Sequence, residues 1–175
     1  IVFRTIYSRS TSSPVRKQNE QNVIKAVIFD IGGVLVTAGL DVLIQALHKG
    51  LGLTQAAFER IEYLIKYSQP AKELRSDKIS YDKFWQAIRA GIQAEFGKDI
   101  FEFKPQEELT RIWHEGYQLI PETFETLKQL KARGYIIGII SDNVRERMDY
   151  LRTKFNLKDY VDFEVLSYEV GADKP

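Results

Sequence analysis

The sequence predicts an α/β protein, a parallel sheet core with three strands present and an α-helical block inserted behind the first of them. Three observations predict it. The stretch KAVIFDIGGVLV (residues 25–36) runs four apolar residues into Asp30 and then Gly32 and Gly33, which reads as a short strand buried on both faces and closed by a turn. Residues 38–119 carry apolar side chains at intervals of three and four, the period of helices. Residues 120–175 then alternate helix, strand, helix and strand, the pattern of a parallel sheet with crossover helices.

Asp30 falls at the carboxyl end of the first strand. In open parallel sheets that end faces the crevice where ligands collect, although an Asp there can equally cap a turn. The two glycines after it let backbone approach a bound group closely. In the helical block, Phe58, Ile61, Leu64 and Ile65 form one stripe, Phe84, Trp85, Ile88, Ile92 and Phe96 a second, and Leu109, Ile112, Trp113 and Tyr117 a third. Aromatics at helical spacing are packing residues before they are a cofactor box, and residues 68–80 and 97–105 read as the turns between them. The block holds eleven basic and twelve acidic residues, so its charge announces no substrate.

Pro121 opens the next helix, with Phe124, Leu127 and Leu130 on its buried face and Gly134 as its stop. Residues 135–140 (YIIGII) form the second strand, which ends in Ser141, Asp142 and Asn143. A helix bearing Val144, Met148, Leu151 and Phe155 leads to a third strand at residues 162–166, and the sequence closes on Gly171, Ala172, Asp173, Lys174 and Pro175.

Composition narrows the chemistry. Lys and Arg number 25 against 24 Asp and Glu, a balance that does not favour nucleic acid as a partner. No apolar run approaches the ~20 residues that span a bilayer, so no membrane partner is expected either. The absence of Cys excludes disulfides, thiolate metal sites and a Cys nucleophile. With only His48 and His114, both in predicted helices, a multi-histidine metal site or a Ser-His-Asp triad is hard to assemble. Carboxylate and hydroxyl chemistry remains. Residues 1–22 are Arg-rich and Ser-rich with one acid, Glu20, which fits either a solvated tail or the remnant of an organellar transit peptide. The expected compartment is intracellular: cytoplasmic, or mitochondrial or plastid if the tail is such a remnant.

Asp30, Ser141 and Lys174 place a carboxylate, a hydroxyl and an ammonium after successive strands. Together they make a phosphoryl-transfer constellation of nucleophile, hydrogen-bond donor and compensating cation. The motifs FDIGGVLV, GIISDN and GADKP, in that order, resemble those of the haloacid dehalogenase superfamily over residues 24–175. The resemblance implies a Rossmann-like core at residues 23–37 and 120–175, incomplete here, with a helical cap at residues 38–119. It implies a Mg²⁺-dependent phosphatase of a small phosphorylated metabolite that forms an aspartyl-phosphate on Asp30. Ser141 and the N–H of Asn143 would hold the phosphoryl oxygens together with Ile31 and Gly32, and Lys174 would neutralise them. Mg²⁺ would be held by the Asp30 carboxylate and the Gly32 carbonyl.

Two departures accompany the resemblance. Many phosphatases of the family carry a second Asp two positions after the nucleophile as general acid and base, and dehalogenases tend to carry an aromatic there; this sequence has Gly32. The acidic fourth motif is expected beyond Lys174, with Glu169 and Asp173 read as solvated loop residues. A metal-independent dehalogenase and a catalytically silent binding or scaffold domain are the alternatives. The first strand is expected to be central in a complete sheet, so a further segment or a partner should cover its open edge.

Overall fold

The computed structural model describes residues 24–174; the Arg-rich segment at residues 1–22 lies outside them. Strand β1 (Ala26–Phe29), β2 (Ile136–Ser141) and β3 (Phe163–Leu166) form a parallel sheet in the order β1-β2-β3. The pairing sets Ala26 beside Ile136, Ile28 beside Gly138, and Gly138 in turn beside Phe163. Gly138 is required by this register, because the Phe163 ring lies over it and an added Cβ would sit 2.3 Å from that ring.

Six helices separate β1 from the rest of the core: α1 (Leu40–Leu51), α2 (Gln55–Tyr67), α3 (Gln69–Arg75), α4 (Tyr81–Phe96), α5 (Ile100–Phe103) and α6 (Gln106–Glu115). Of the expected stripes, Ile61 and Ile65 of α2, Phe84, Trp85, Ile88 and Ile92 of α4, and Leu109 and Trp113 of α6 are buried, while Phe58, Leu64, Phe96 and Ile112 are only partly buried against them. Phe84, Trp85 and Trp113 pack on one another with ring centroids 5.7 to 6.4 Å apart. The two segments expected to be turns each contain a short helix. Ser68 caps α3 by accepting the N–H of Ala71, and Asp99 caps α5 by accepting that of Phe101. Side-chain caps of this kind fix helices too short to show a period of their own.

The block leaves and rejoins the core through two adjacent stretches. Thr37 donates its N–H to the Gln118 carbonyl at 2.8 Å, Gln118 returns its N–H to Thr37 Oγ1, and Ile120 donates to the Leu35 carbonyl at 2.9 Å. Beyond this ribbon come α7 (Pro121–Ala132), β2, α8 (Arg145–Phe155), β3 and a single turn of helix, α9 (Ser167–Val170).

From β1 to β2 to β3 the sheet advances in one direction, so right-handed crossovers lay α7 and α8 on the same face. That face holds Val27, Phe29, Ile137, Ile139 and Leu166, all buried, and there Arg152 of α8 pairs with Glu164 of β3. The opposite face is open among the described residues. Ile136 is 47% exposed and Phe163 and Val165 are each 37% exposed, while Ala26 and Ile28 are half-buried. The expectation that β1 is buried on both faces is corrected here: only Val27 and Phe29 are buried, because both crossovers fall on their side.

Candidate active site

Strand ends deliver the reactive groups. Asp30 follows β1, half-buried, and Ser141 ends β2 with 3% exposure. Past β3, α9 closes on Gly171 in the left-handed conformation, φ 70°, and the chain turns back toward β1. Lys174 thereby reaches across the sheet. Its Nζ lies 2.7 Å from Asp30 Oδ2, and its backbone N–H donates to Asp142 Oδ1 at 2.7 Å. Asp30 Oδ1 accepts the N–H of Ile31 at 2.7 Å. The carboxylate is thus oriented by one backbone donor and one ammonium.

The loop after Asp30 turns on the Ile31 carbonyl, which accepts from Val34, Leu35 and Val36, and on Gly33, whose φ of 72° calls for glycine. Gly32 is different. A Cβ added there would meet nothing within 4 Å, and neither its N–H nor its carbonyl bonds to another described residue. Beside Asp30, then, the chain presents one uncommitted peptide donor and one uncommitted acceptor.

Asn143 is buried and fully engaged in holding the loop after β2. Its N–H donates to Ser167 Oγ at 3.0 Å, its carbonyl accepts the same hydroxyl at 3.1 Å, and its side chain binds Met148 Sδ and the N–H of Val144. The N–H expected to face a phosphoryl oxygen is therefore directed at Ser167, a residue that no sequence pattern singles out. Asp142 and Asp173 also do more than expected. Asp142 anchors the Lys174 backbone, and Asp173, read from sequence as solvated, accepts Arg75 of α3 at 3.3 Å across 98 residues of sequence.

Between these loops and the helical block lies a cavity of about 520 Å³. Gly32, Ser141, Asp142 and Asn143 line it from the core; Arg75, Phe84, Trp113 and Tyr117 line it from the block. Asp30 and Lys174 flank it through their neighbours Ile31 and Asp142. The expected site residues Asp30, Ile31, Gly32, Ser141, Asn143 and Lys174 are therefore gathered at one end of the sheet.

Among the described residues no three His, Asp or Glu side chains converge to hold a metal. The donors beside Gly32 are nonetheless of the right kind for Mg²⁺, which takes oxygen ligands and commonly binds through one or two carboxylates, with waters and substrate phosphate completing its shell. The Asp30 carboxylate and the free Gly32 carbonyl fit that pattern.

Comparison with known proteins places this arrangement. The chain is 27% identical over 158 residues to an uncharacterized protein of Dictyostelium discoideum, covering 88% of this chain and 63% of the relative. It is 24% identical over 160 residues to a phosphoglycolate phosphatase of Aquifex aeolicus, covering 87% and 65%. The chain thus spans less than two thirds of the length of the curated relatives it matches. A family enzyme from Bacteroides thetaiotaomicron, solved with magnesium and inorganic phosphate, superposes with a TM-score of 0.64 at 19% identity over 87% of this chain and 73% of that one. The family model described as haloacid dehalogenase-like hydrolase matches residues 24–175, and the chain belongs to that family.

Proposed function

We propose that the protein is a Mg²⁺-dependent phosphomonoesterase of a small phosphorylated metabolite, with Asp30 as nucleophile and residues 38–119 as a cap over the site. The observation that carries this reading is the Asp30–Lys174 pair, 2.7 Å apart at the strand ends, beside the cavity that Ser141 lines. The phosphatase among the relatives and the phosphate and magnesium in the structural neighbour support it.

An Asp30 oxygen attacks phosphorus as the ester oxygen leaves, giving an acyl phosphate on Asp30; water then attacks phosphorus, releasing inorganic phosphate and restoring the carboxylate. Lys174 offsets the anionic charge that gathers between carboxylate and phosphoryl group. The Ser141 hydroxyl and the Gly32 N–H donate to phosphoryl oxygens. Mg²⁺, when bound by Asp30 and the Gly32 carbonyl, supplies further neutralisation of the phosphate. Because Gly32 offers no side chain to donate or accept it, the proton that the ester oxygen takes on leaving comes from water, and the water that attacks the acyl phosphate gives one back to solvent.

Beryllium fluoride with Mg²⁺ mimics an aspartyl-phosphate. Saturable binding by the wild type, lost in Asp30→Asn and on chelation, is the expected result. Absence of binding in the wild type would favour the silent-domain reading, to which the lack of a side chain at Gly32 also lends weight. Turnover that survives a chelator would favour metal-independent dehalogenation.

A further inference from the structure

Three cationic side chains line the cavity, and two of them have partners. Arg75 is held by Asp173 and by the Lys66 carbonyl, and Lys66 pairs with Glu62. Arg147, on the first turn of α8, is different. No carboxylate of the described residues lies within ion-pair distance of it, and its Nε is buried without an acceptor. Aromatic rings hold it in place: its guanidinium carbon sits 4.5 Å from the Trp113 ring centre and 5.7 Å from that of Tyr117, both cavity residues. Stacking fixes the plane of a guanidinium and attracts its charge, but leaves its in-plane N–H donors unfilled. A partly buried cation with open donors is costly unless an anion reaches it. The cavity that supplies access for that anion is the one Ser141 and Gly32 line.

We propose that Arg147 is a specificity residue that binds a second anionic group of the substrate, a carboxylate or a second phosphate, while the first phosphate sits at Asp30. This rests on the phosphatase reading for the identity of the first group. The substrate class is then a compact phosphomonoester with an additional anion. A neutral or cationic phosphomonoester would leave the buried Nε–H of the guanidinium without an acceptor. The planar fork favours a bidentate oxyanion, so lysine at this position should serve only in part.

The test uses non-hydrolysable probes on the full chain with Mg²⁺, by calorimetry. Methylphosphonate carries one anionic group; phosphonoacetate adds a carboxylate and methylenediphosphonate a second phosphonate. Wild type is expected to bind one or both of the two-anion probes about tenfold to a hundredfold more tightly than methylphosphonate, the scale of one charge-assisted pair. Whichever probe gains identifies the second group. In Arg147→Met, which keeps an apolar stem against Trp113, that preference should vanish while methylphosphonate affinity stays; Arg147→Lys should restore part of it. Because the reading is a ratio within each variant, a general loss of stability does not mimic it. Equal affinities for all three probes in wild type, or a preference that persists in Arg147→Met, would overturn the proposal. Tight two-anion binding in a protein that hydrolyses no phosphomonoester would leave the Arg147 site standing and remove the phosphatase reading.

Discussion

Gly32 and Gly33 are neighbours in sequence and opposites in what they tolerate. Gly33 sits at φ 72°, where a β-carbon costs about 1 kcal/mol, so Gly33→Ala should lower stability by that amount in urea unfolding. Gly32 has ordinary φ and open space, so Gly32→Asp should fold with unchanged stability. Its effect should be chemical. General acid catalysis typically contributes about 10² to 10⁴-fold, and without it the rate depends steeply on how acidic the leaving group is. Across phosphate esters of graded leaving-group pKa, wild type should favour aryl over alkyl esters strongly, and Gly32→Asp should flatten that slope. Equal shallow slopes in both would mean that another group already donates the proton. His114 gives a second prediction at this scale. Burial, with the nearby positive charge of Arg147, lowers its pKa to about 4, and its ring lies against Tyr150. Unfolded, it titrates near 6.5, so the unfolded chain gains a proton first as pH falls. The stability this provides is complete above about pH 6.5 and is lost progressively toward pH 4. Wild type should therefore lose roughly 2 kcal/mol more than His114→Phe between pH 7 and pH 5 by chemical denaturation.

The helical block touches the core's loops at its α3 end as well as at its connecting ribbon. Arg75 reaches Asp173, next to Lys174, and Asp77, in the turn after α3, reaches Arg145 at the start of α8, each at 3.3 Å. Exposed pairs of this kind contribute about 0 to 1 kcal/mol each and weaken with salt. They fasten this end of the block to the core only lightly, as the cap proposed above would require in order to open and exchange ligand. Because the chain has no native cysteine, Asp77→Cys with Arg145→Cys supplies the only two thiols. Joining them with a short bifunctional thiol reagent should suppress turnover of a phosphomonoester, while each single variant treated alike retains it. Undiminished turnover after verified cross-linking would show that opening at this end is not needed. None of these contacts was legible in the sequence, since pairs 98 and 68 residues apart leave no local pattern. The helices themselves were legible where two or more turns repeat an apolar stripe. Helices α3 and α5 were not, being defined by the caps at Ser68 and Asp99.

At the scale of the molecule, Asp30 and Ser141 were readable because each directly follows an apolar run, and Lys174, eight residues past β3, because it lies in the GADKP motif. Arg147, Ser167 and the role of Asp142 escaped because their partners come from other elements. The open face of the sheet escaped as well: an apolar strand reads alike whether one or both of its faces are covered. Register puts Ala26, Ile28, Ile136, Ile140, Phe163 and Val165 on that face, and β1 pairs only with β2 among the described residues. A continuous apolar face ending in an unpaired strand edge favours association, through both surface burial and backbone pairing. The 175-residue chain in isolation should therefore sediment as more than a monomer at micromolar concentration and bind a hydrophobic dye. Ile136→Lys with Val165→Lys places two charges on that face without touching the buried side, so the double variant should shift toward monomer, lose dye binding and keep its helical signal. A wild-type chain that is monomeric, dye-silent and cooperatively unfolding would overturn this reading of the open face.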